Sequence, residues 1–272
     1  MAEVKFTTLC LLGCGNLGGA ILDSLLNATE KESLFTKFIA CVRSQSSEEK
    51  LAARFSQHLA KLTIKRGDNT QAVREADVII LGVDPSDIES VLSQQSLREA
   101  LGNKLLISIA AGWTRRKLEQ TIYGSETTNA NKSDRAWVVR TLPNIAAQVS
   151  QSLTAIEVSE PAPPAHYLTV TNEIFERIGK AVQIDPRLMN ATTAVGGIDT
   201  GYSMQGTAAM LQSGIHPALL KDQGTSPEGC TIGGLMVMEE AGVRGSVGRA
   251  LREAVTLARL METQEHVNDT RR

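Results

Sequence analysis

Leu9-Cys10-Leu11-Leu12-Gly13-Cys14-Gly15-Asn16-Leu17-Gly18-Gly19-Ala20-Ile21-Leu22 is the stretch on which the reading of this chain turns. Four successive apolar residues read as a buried strand, and an apolar run past Gly18 reads as a helix. Between them stands a complete G-x-G-x-x-G. Gly13 permits a tight turn at the strand end, Gly15 lets the backbone approach a pyrophosphate, and Gly18 lets helix and strand pack closely. The helix N-terminus then faces the anion with its free N–H groups. Gly13, Cys14, Gly15, Asn16, Leu17 and Gly18 are therefore candidate dinucleotide contacts. The alternative, a glycine-rich turn without a ligand, is disfavoured by the loop's place in the first strand–helix unit.

Working outward, short β-rich runs alternate with amphipathic stretches as far as about residue 185, the pattern of βαβ units around a parallel sheet. Strands are expected at 7–12, 38–42, 62–65, 77–83, 104–109, 136–140, 153–157 and 181–184. Val78-Ile79-Ile80-Leu81 and Leu105-Leu106-Ile107 are apolar on successive residues, as central strands covered on both faces should be. Residues 121–135 are polar and aperiodic and read as a loop. Glu160-Pro161-Ala162-Pro163-Pro164 reads as a breaker before a helix. Past Asp185-Pro186 strand signals stop. The expectation is an α/β fold: a doubly wound dinucleotide-binding sheet of the Rossmann type over 1–185, followed by a small all-α domain over 186–272. In the last helix Val247, Leu251, Val255, Ala258 and Met261 form an apolar stripe that must pack on something, which points to a homodimer or higher homo-oligomer.

Composition excludes several classes. The chain has 272 residues, 42% of them hydrophobic and 21% charged, with a formal net charge of -2, so it carries no electrostatic footprint for nucleic acid or an anionic membrane. A small-molecule partner is the better expectation. Cys10, Cys14, Cys41 and Cys230 form no metal-ligand spacing and read as reduced thiols. With no signal peptide and no run of transmembrane length, the expected compartment is the cytoplasm.

Cofactor choice follows from the end of the second strand. An NAD-selective domain usually places a carboxylate there for the ribose 2′-hydroxyl, whereas this chain has Arg43-Ser44. Arg43 can pair with a 2′-phosphate and Ser44 can donate to it, which favours NADPH (NADP). A solvated strand-end charge is the alternative for Arg43.

A second informative segment is Ser226-Pro227-Glu228-Gly229-Cys230-Thr231-Ile232-Gly233-Gly234-Leu235. Hydroxyls at a helix start can hold a carboxylate, and simple N-capping is the bland alternative. The segment resembles the SPGGTTI-type signature of pyrroline-5-carboxylate reductases. Other landmarks agree in order: Asn69 with Ala76-Asp77-Val78-Ile79, Ser108-Ile109-Ala110-Ala111-Gly112, Val139-Arg140-Thr141-Leu142-Pro143-Asn144, and His216-Pro217-Ala218-Leu219-Leu220-Lys221-Asp222. The resemblance implies NADPH-dependent reduction of 1-pyrroline-5-carboxylate, a small cyclic imino acid, to proline. It adds Asn69, Val83, Asp84, Pro85, Ala110, Ala111, Pro143 and Asn144 to the cofactor contacts. It assigns Thr231 and Ser226 to catalysis, and Gly229, Cys230 and Thr231 to the substrate.

The chain departs from the family pattern in three places. Asp84 stands where the family usually has a lysine, Glu228 replaces a glycine of the signature, and the motif that begins a long helix is reduced to Gly196-Gly197-Ile198-Asp199-Thr200-Gly201-Tyr202. These departures leave open an imine reductase of secondary metabolism and a non-catalytic NADP(H)-binding regulator. A 3-hydroxyacid dehydrogenase relative fits less well, because 187–212 contains no lysine to serve as its catalytic group.

Overall fold

The computed structural model describes residues 6–28, 33–143, 147–148, 150–190, 192, 216, 218 and 236–264. The chain divides into two compact units, Met1–Thr192 and Thr193–Arg272.

The first unit is built on one eight-stranded sheet. Its strands are β1 (Thr8–Leu12), β2 (Lys37–Val42), β3 (Leu62–Arg66), β4 (Val78–Leu81), β5 (Leu105–Ser108), β6 (Trp137–Leu142), β7 (Ser152–Glu157) and β8 (Gly179–Ile184). They lie in the order β3-β2-β1-β4-β5-β6-β7-β8, and the first six in that order are parallel. Helices α1 (Asn16–Leu26) and α7 (Ala165–Glu176) supply Ile21, Leu22, Leu25, Val170, Ile174 and Phe175 to one core. The other core takes side chains from α3 (Asn69–Glu75), α4 (Ile88–Leu92), α5 (Gln95–Ala100) and α6 (Arg115–Tyr123). Alternate strand residues serve the two: Leu9, Leu11, Val78 and Ile80 belong to the first, and Cys10, Leu12, Ile79 and Leu81 to the second. That two-sided burial is the reason the central strands are apolar at every position.

Two expectations need correcting. The sheet is not parallel throughout, because β7 runs antiparallel to β6 and β8 then pairs parallel with β7. The connection over residues 143–151 is too short for a parallel crossover, which takes a dozen residues or more, so the chain turns back on itself. The presumed loop 121–135 also begins late. Thr121, Ile122 and Tyr123 complete α6, which ends at Gly124 in the left-handed conformation (φ 73°) with its N–H on Gln120 O. Their polar neighbours hide the fact that Ile122 and Tyr123 are buried.

The contact break falls between Thr192 and Thr193, seven residues beyond Asp185. Asp185 caps a short 3-10 turn, Pro186–Leu188, by accepting from the Arg187 N–H. Met189 beyond it is fully buried against Leu142 and Ala155, which ties these residues to the sheet.

In the second unit, residues 236–240 are helical and Gly242 (φ 62°) joins them to α8 (Val243–Leu260). Of the expected stripe, Ala258 is buried, Leu251 and Val255 are half-buried, and Val247 and Met261 are exposed. Among the described residues no helix is long and apolar enough to cross a membrane, and no cluster of side chains could hold a metal ion.

The segment after β5 is anchored by a buried ion pair on α6. Arg115 Nε donates to Glu119 Oε1 at 2.8 Å, Glu119 Oε2 accepts from the Thr127 N–H at 2.8 Å, and an Arg115 amine donates to Pro161 O at 3.3 Å. Both side chains are less than a tenth exposed. Replacing Glu119 with alanine strands a buried cation and an amide, so Glu119→Ala should cost about 3–5 kcal/mol. Urea unfolding checks this; a loss under about 1 kcal/mol, the size of a surface pair, would show the pair to be dispensable.

Candidate active site

Six parallel strands bring the segments that follow them to one edge of the sheet. The order reverses between β1 and β4, which leaves a crevice outside their carboxyl ends. The loop Gly13–Gly18 lies at that switch point. Gly13 has φ 86°, and a Cβ there would sit 2.5 Å from Val83 N and 2.6 Å from Gly82 C, so only glycine fits. The Gly13 and Cys14 N–H groups both donate to Cys41 O, at 3.2 and 3.1 Å, which pins the loop to β2. Gly18 packs the helix on the loop, since a Cβ there would lie 2.9 Å from Gly13 O. Gly15 differs: a Cβ would meet nothing within 4 Å.

Gly15 is also the N-cap of α1, where no side chain caps the helix and the first turn holds no acidic residue. The orphan N–H groups of α1 therefore stand beside the free space at Gly15 with no carboxylate in the helix's own first turn. Burial pushes the Cys14 thiol up to about 12, so it stays neutral beside that space. These features fit a pyrophosphate. Asn16 is exposed and Leu17 half-buried at the start of the same helix.

Arg43 immediately follows β2, and its side chain is 87% exposed. It does not stand as a lone solvated charge: its Nη1 donates to Asp87 Oδ2 at 2.8 Å. Ser44 caps α2 (Gln45–Arg54), accepting from the Ser47 N–H at 3.2 Å. Asn69, the first residue of α3, sits beyond β3 on the same edge behind the N-cap Asp68.

After β4, Val83 is partly buried against the second core. Asp84 accepts from the Ser86 N–H at 3.0 Å and the Ser86 hydroxyl at 2.6 Å, capping the 3-10 turn Pro85–Asp87. Those bonds, with the Arg43 charge behind them, hold its carboxyl below its ordinary range. The residue that replaces the family's lysine thus builds the turn that carries Asp87. Beyond β5, Ala110 is buried and donates to Ser108 Oγ, while Ala111 packs against Leu142, Ala155 and Met189. Trp113 Nε1 donates to Pro85 O at 3.1 Å and ties this loop to the turn after β4. Pro143, half-buried, follows β6. Asn144, Ser226, Gly229, Cys230 and Thr231, the altered Glu228 and the shortened segment 196–202 lie outside the described residues.

Sequence reasoning missed Asp87 and Trp113. Asp87 is 44 residues from Arg43, and no periodicity links them. Trp113 directly follows the quoted Ser108–Gly112 landmark, and a buried aromatic with one N–H to place is a usable signal for a loop tie.

Residues 8–112 match the family model described as NADP oxidoreductase coenzyme F420-dependent, and residues 200–261 match pyrroline-5-carboxylate reductase dimerisation. A pyrroline-5-carboxylate reductase from Lophium arboricola is 38% identical over 308 positions, covering 97% of this chain and 96% of that protein. The chain belongs to the pyrroline-5-carboxylate reductase family. That alignment is longer than the chain itself, so this member lacks segments its relative has. The fold agrees: the Coxiella burnetii pyrroline-5-carboxylate reductase structure has a TM-score of 0.76 at 20% identity, covering 96% of this chain and all of that one. The Plasmodium falciparum pyrroline carboxylate reductase, solved with NADP bound, has a TM-score of 0.72 at 20% identity, with 95% and 98% covered.

Gly15 offers a clean test of the reductase loop. Because a Cβ at Gly15 meets nothing and φ is an ordinary -81°, Gly15→Ala should change stability by no more than about 1 kcal/mol. The same methyl group would occupy the space proposed for the pyrophosphate, so dinucleotide affinity should fall at least about tenfold. Calorimetric titration beside a melting curve checks both, and unchanged affinity would move the cofactor elsewhere.

Proposed function

We propose that this chain reduces 1-pyrroline-5-carboxylate to proline with NADPH as the reductant. The observation that carries the reading is the uncapped α1 N-terminus beside the free space at Gly15, at the β1/β4 switch point of a chain belonging to this family. The first unit holds the dinucleotide: residues 13–18 take the pyrophosphate, and Arg43 with Ser44 takes the 2′-phosphate. Asn69, Val83–Pro85, Ala110, Ala111, Pro143 and Asn144 line the rest of its path. NADP in the Plasmodium relative supports the choice of cofactor.

Bound there, the dinucleotide supplies a hydride to a C=N bond. The chain's own work is to orient the imine, grip its carboxylate and exclude water. An iminium nitrogen can already carry its proton, so no dedicated histidine is required. Of the described histidines, His58 ends a 3-10 turn, His166 packs beside Phe6 and Tyr167, and His216 accepts from the Ala218 N–H. Thr231 bonds near the ring nitrogen, while Ser226 and the backbone of Gly229 and Cys230 hold the carboxylate.

The helical domain expected over 186–272 carries the substrate-binding segment and self-associates. The dimerisation match over 200–261 supports this, as do the exposed Met236, Val237, Met238, Val247 and Met261. The thiols of Cys10, Cys14 and Cys41 are free, in keeping with a cytoplasmic enzyme.

NADPH oxidation against a panel of pyrroline and piperideine carboxylates tests the substrate. Pyrroline-5-carboxylate should give the highest kcat/KM; no turnover of any cyclic imine would leave only a binding protein. Within that assay, Thr231→Ala should lower kcat/KM by roughly ten- to a hundredfold with NADPH affinity unchanged. A lower melting temperature with wild-type kcat/KM would make Thr231 a cap and nothing more. By light scattering the enzyme should be a dimer or larger, and a stable folded monomer at micromolar concentration would overturn the assembly.

A further inference from the structure

The sheet order places β1 between β2 and β4, with the glycine loop at its carboxyl end. Arg43 follows β2 by one residue, and Asp87 closes the 3-10 turn after β4. Their 2.8 Å bond therefore joins the two strands that flank β1, along the edge on which a dinucleotide must lie. The two partners are mounted differently. Asp87 stands on a held turn, with Asp84 capping it, Trp113 bonded to Pro85 O, and Ile88 and Leu92 fully buried just beyond. Arg43 is 87% exposed on a flexible stem.

We propose that Asp87 is a specificity-determining residue: its carboxylate competes with the cofactor's 2′-phosphate for the Arg43 guanidinium. The 2′-phosphate of NADPH meets a guanidinium whose charge Asp87 already partly neutralises, whereas NADH, with a 2′-hydroxyl, makes no such demand. The carboxylate thus narrows the discrimination that Arg43 provides, and Asp84 nearby acts in the same sense. Because both partners are solvent-accessible, the competition is modest and weakens as salt rises.

This inference rests on the reading of Arg43 as the 2′-phosphate contact, and the experiment separates the two. Dissociation constants for NADPH and NADH are measured by calorimetry on the full chain for wild type, Asp87→Asn, Arg43→Ala and the double variant. Asp87→Asn should bind NADPH about two- to fivefold more tightly, leave NADH nearly unchanged, and have no effect in the Arg43→Ala background. If Asp87→Asn shifts both cofactors alike, shifts neither, or keeps its effect without Arg43, the role of Asp87 is overturned. If Arg43→Ala retains the wild-type NADPH/NADH ratio, the Arg43 reading itself falls and takes this inference with it.

Discussion

The backbone contact between the end of β1 and the end of β4 is the constraint on which the rest of this molecule depends. Gly82 donates its N–H to Leu12 O at 2.7 Å, and a Cβ on Gly82 would lie 2.8 Å from Gly13 O. A Cβ on Gly13 would run into the Gly82 and Val83 backbone. Two glycines facing each other thus let the first loop lie against the fourth strand. The approach turns the chain sharply into α1 and aims the helix start over the sheet edge. Side chains at either position would clash with the facing backbone and push the loop away from β4.

What could be read from the sequence follows from what is local. All eight strands lie close to where apolar β-rich runs put them, because each central strand is buried on both faces and betrays itself over four or five residues. The end of α6 was hidden because the burial of Ile122 and Tyr123 comes from partners far along the chain, such as the Ala136 N–H on the Tyr123 hydroxyl. The reversal at β7 depends on the short connection after β6, and a strand's direction leaves no mark in its composition.

The site divides in the same way. Its glycine loop was legible since backbone geometry dictates residue type there, and three glycines at fixed spacing encode it. The place of Arg43 at the end of β2 was legible, but its partner Asp87 was not. Asp84 stood out only as a departure from the family's lysine, whereas its carboxylate is taken up by Ser86 as the cap of a turn. A carboxylate two residues before a serine is a turn signal that can be read from sequence once the preceding strand is known to end.

Position and selectivity therefore come from different materials. On the proposed reading, the loop would hold its ligand with main-chain N–H groups fixed by close packing, beside a buried thiol kept neutral and a helix start free of carboxylates. Nothing there distinguishes one dinucleotide from another, because the pyrophosphate is common to all of them. Discrimination would then be left to the rim, where Arg43 pairs with Asp87 close to the exposed Asp84. Charges in that setting are screened and individually weak. On that reading a substitution at the rim would shift cofactor preference while the glycine contact stays intact, whereas a side chain at Gly13 or Gly82 would clash with the facing backbone and disturb the fold.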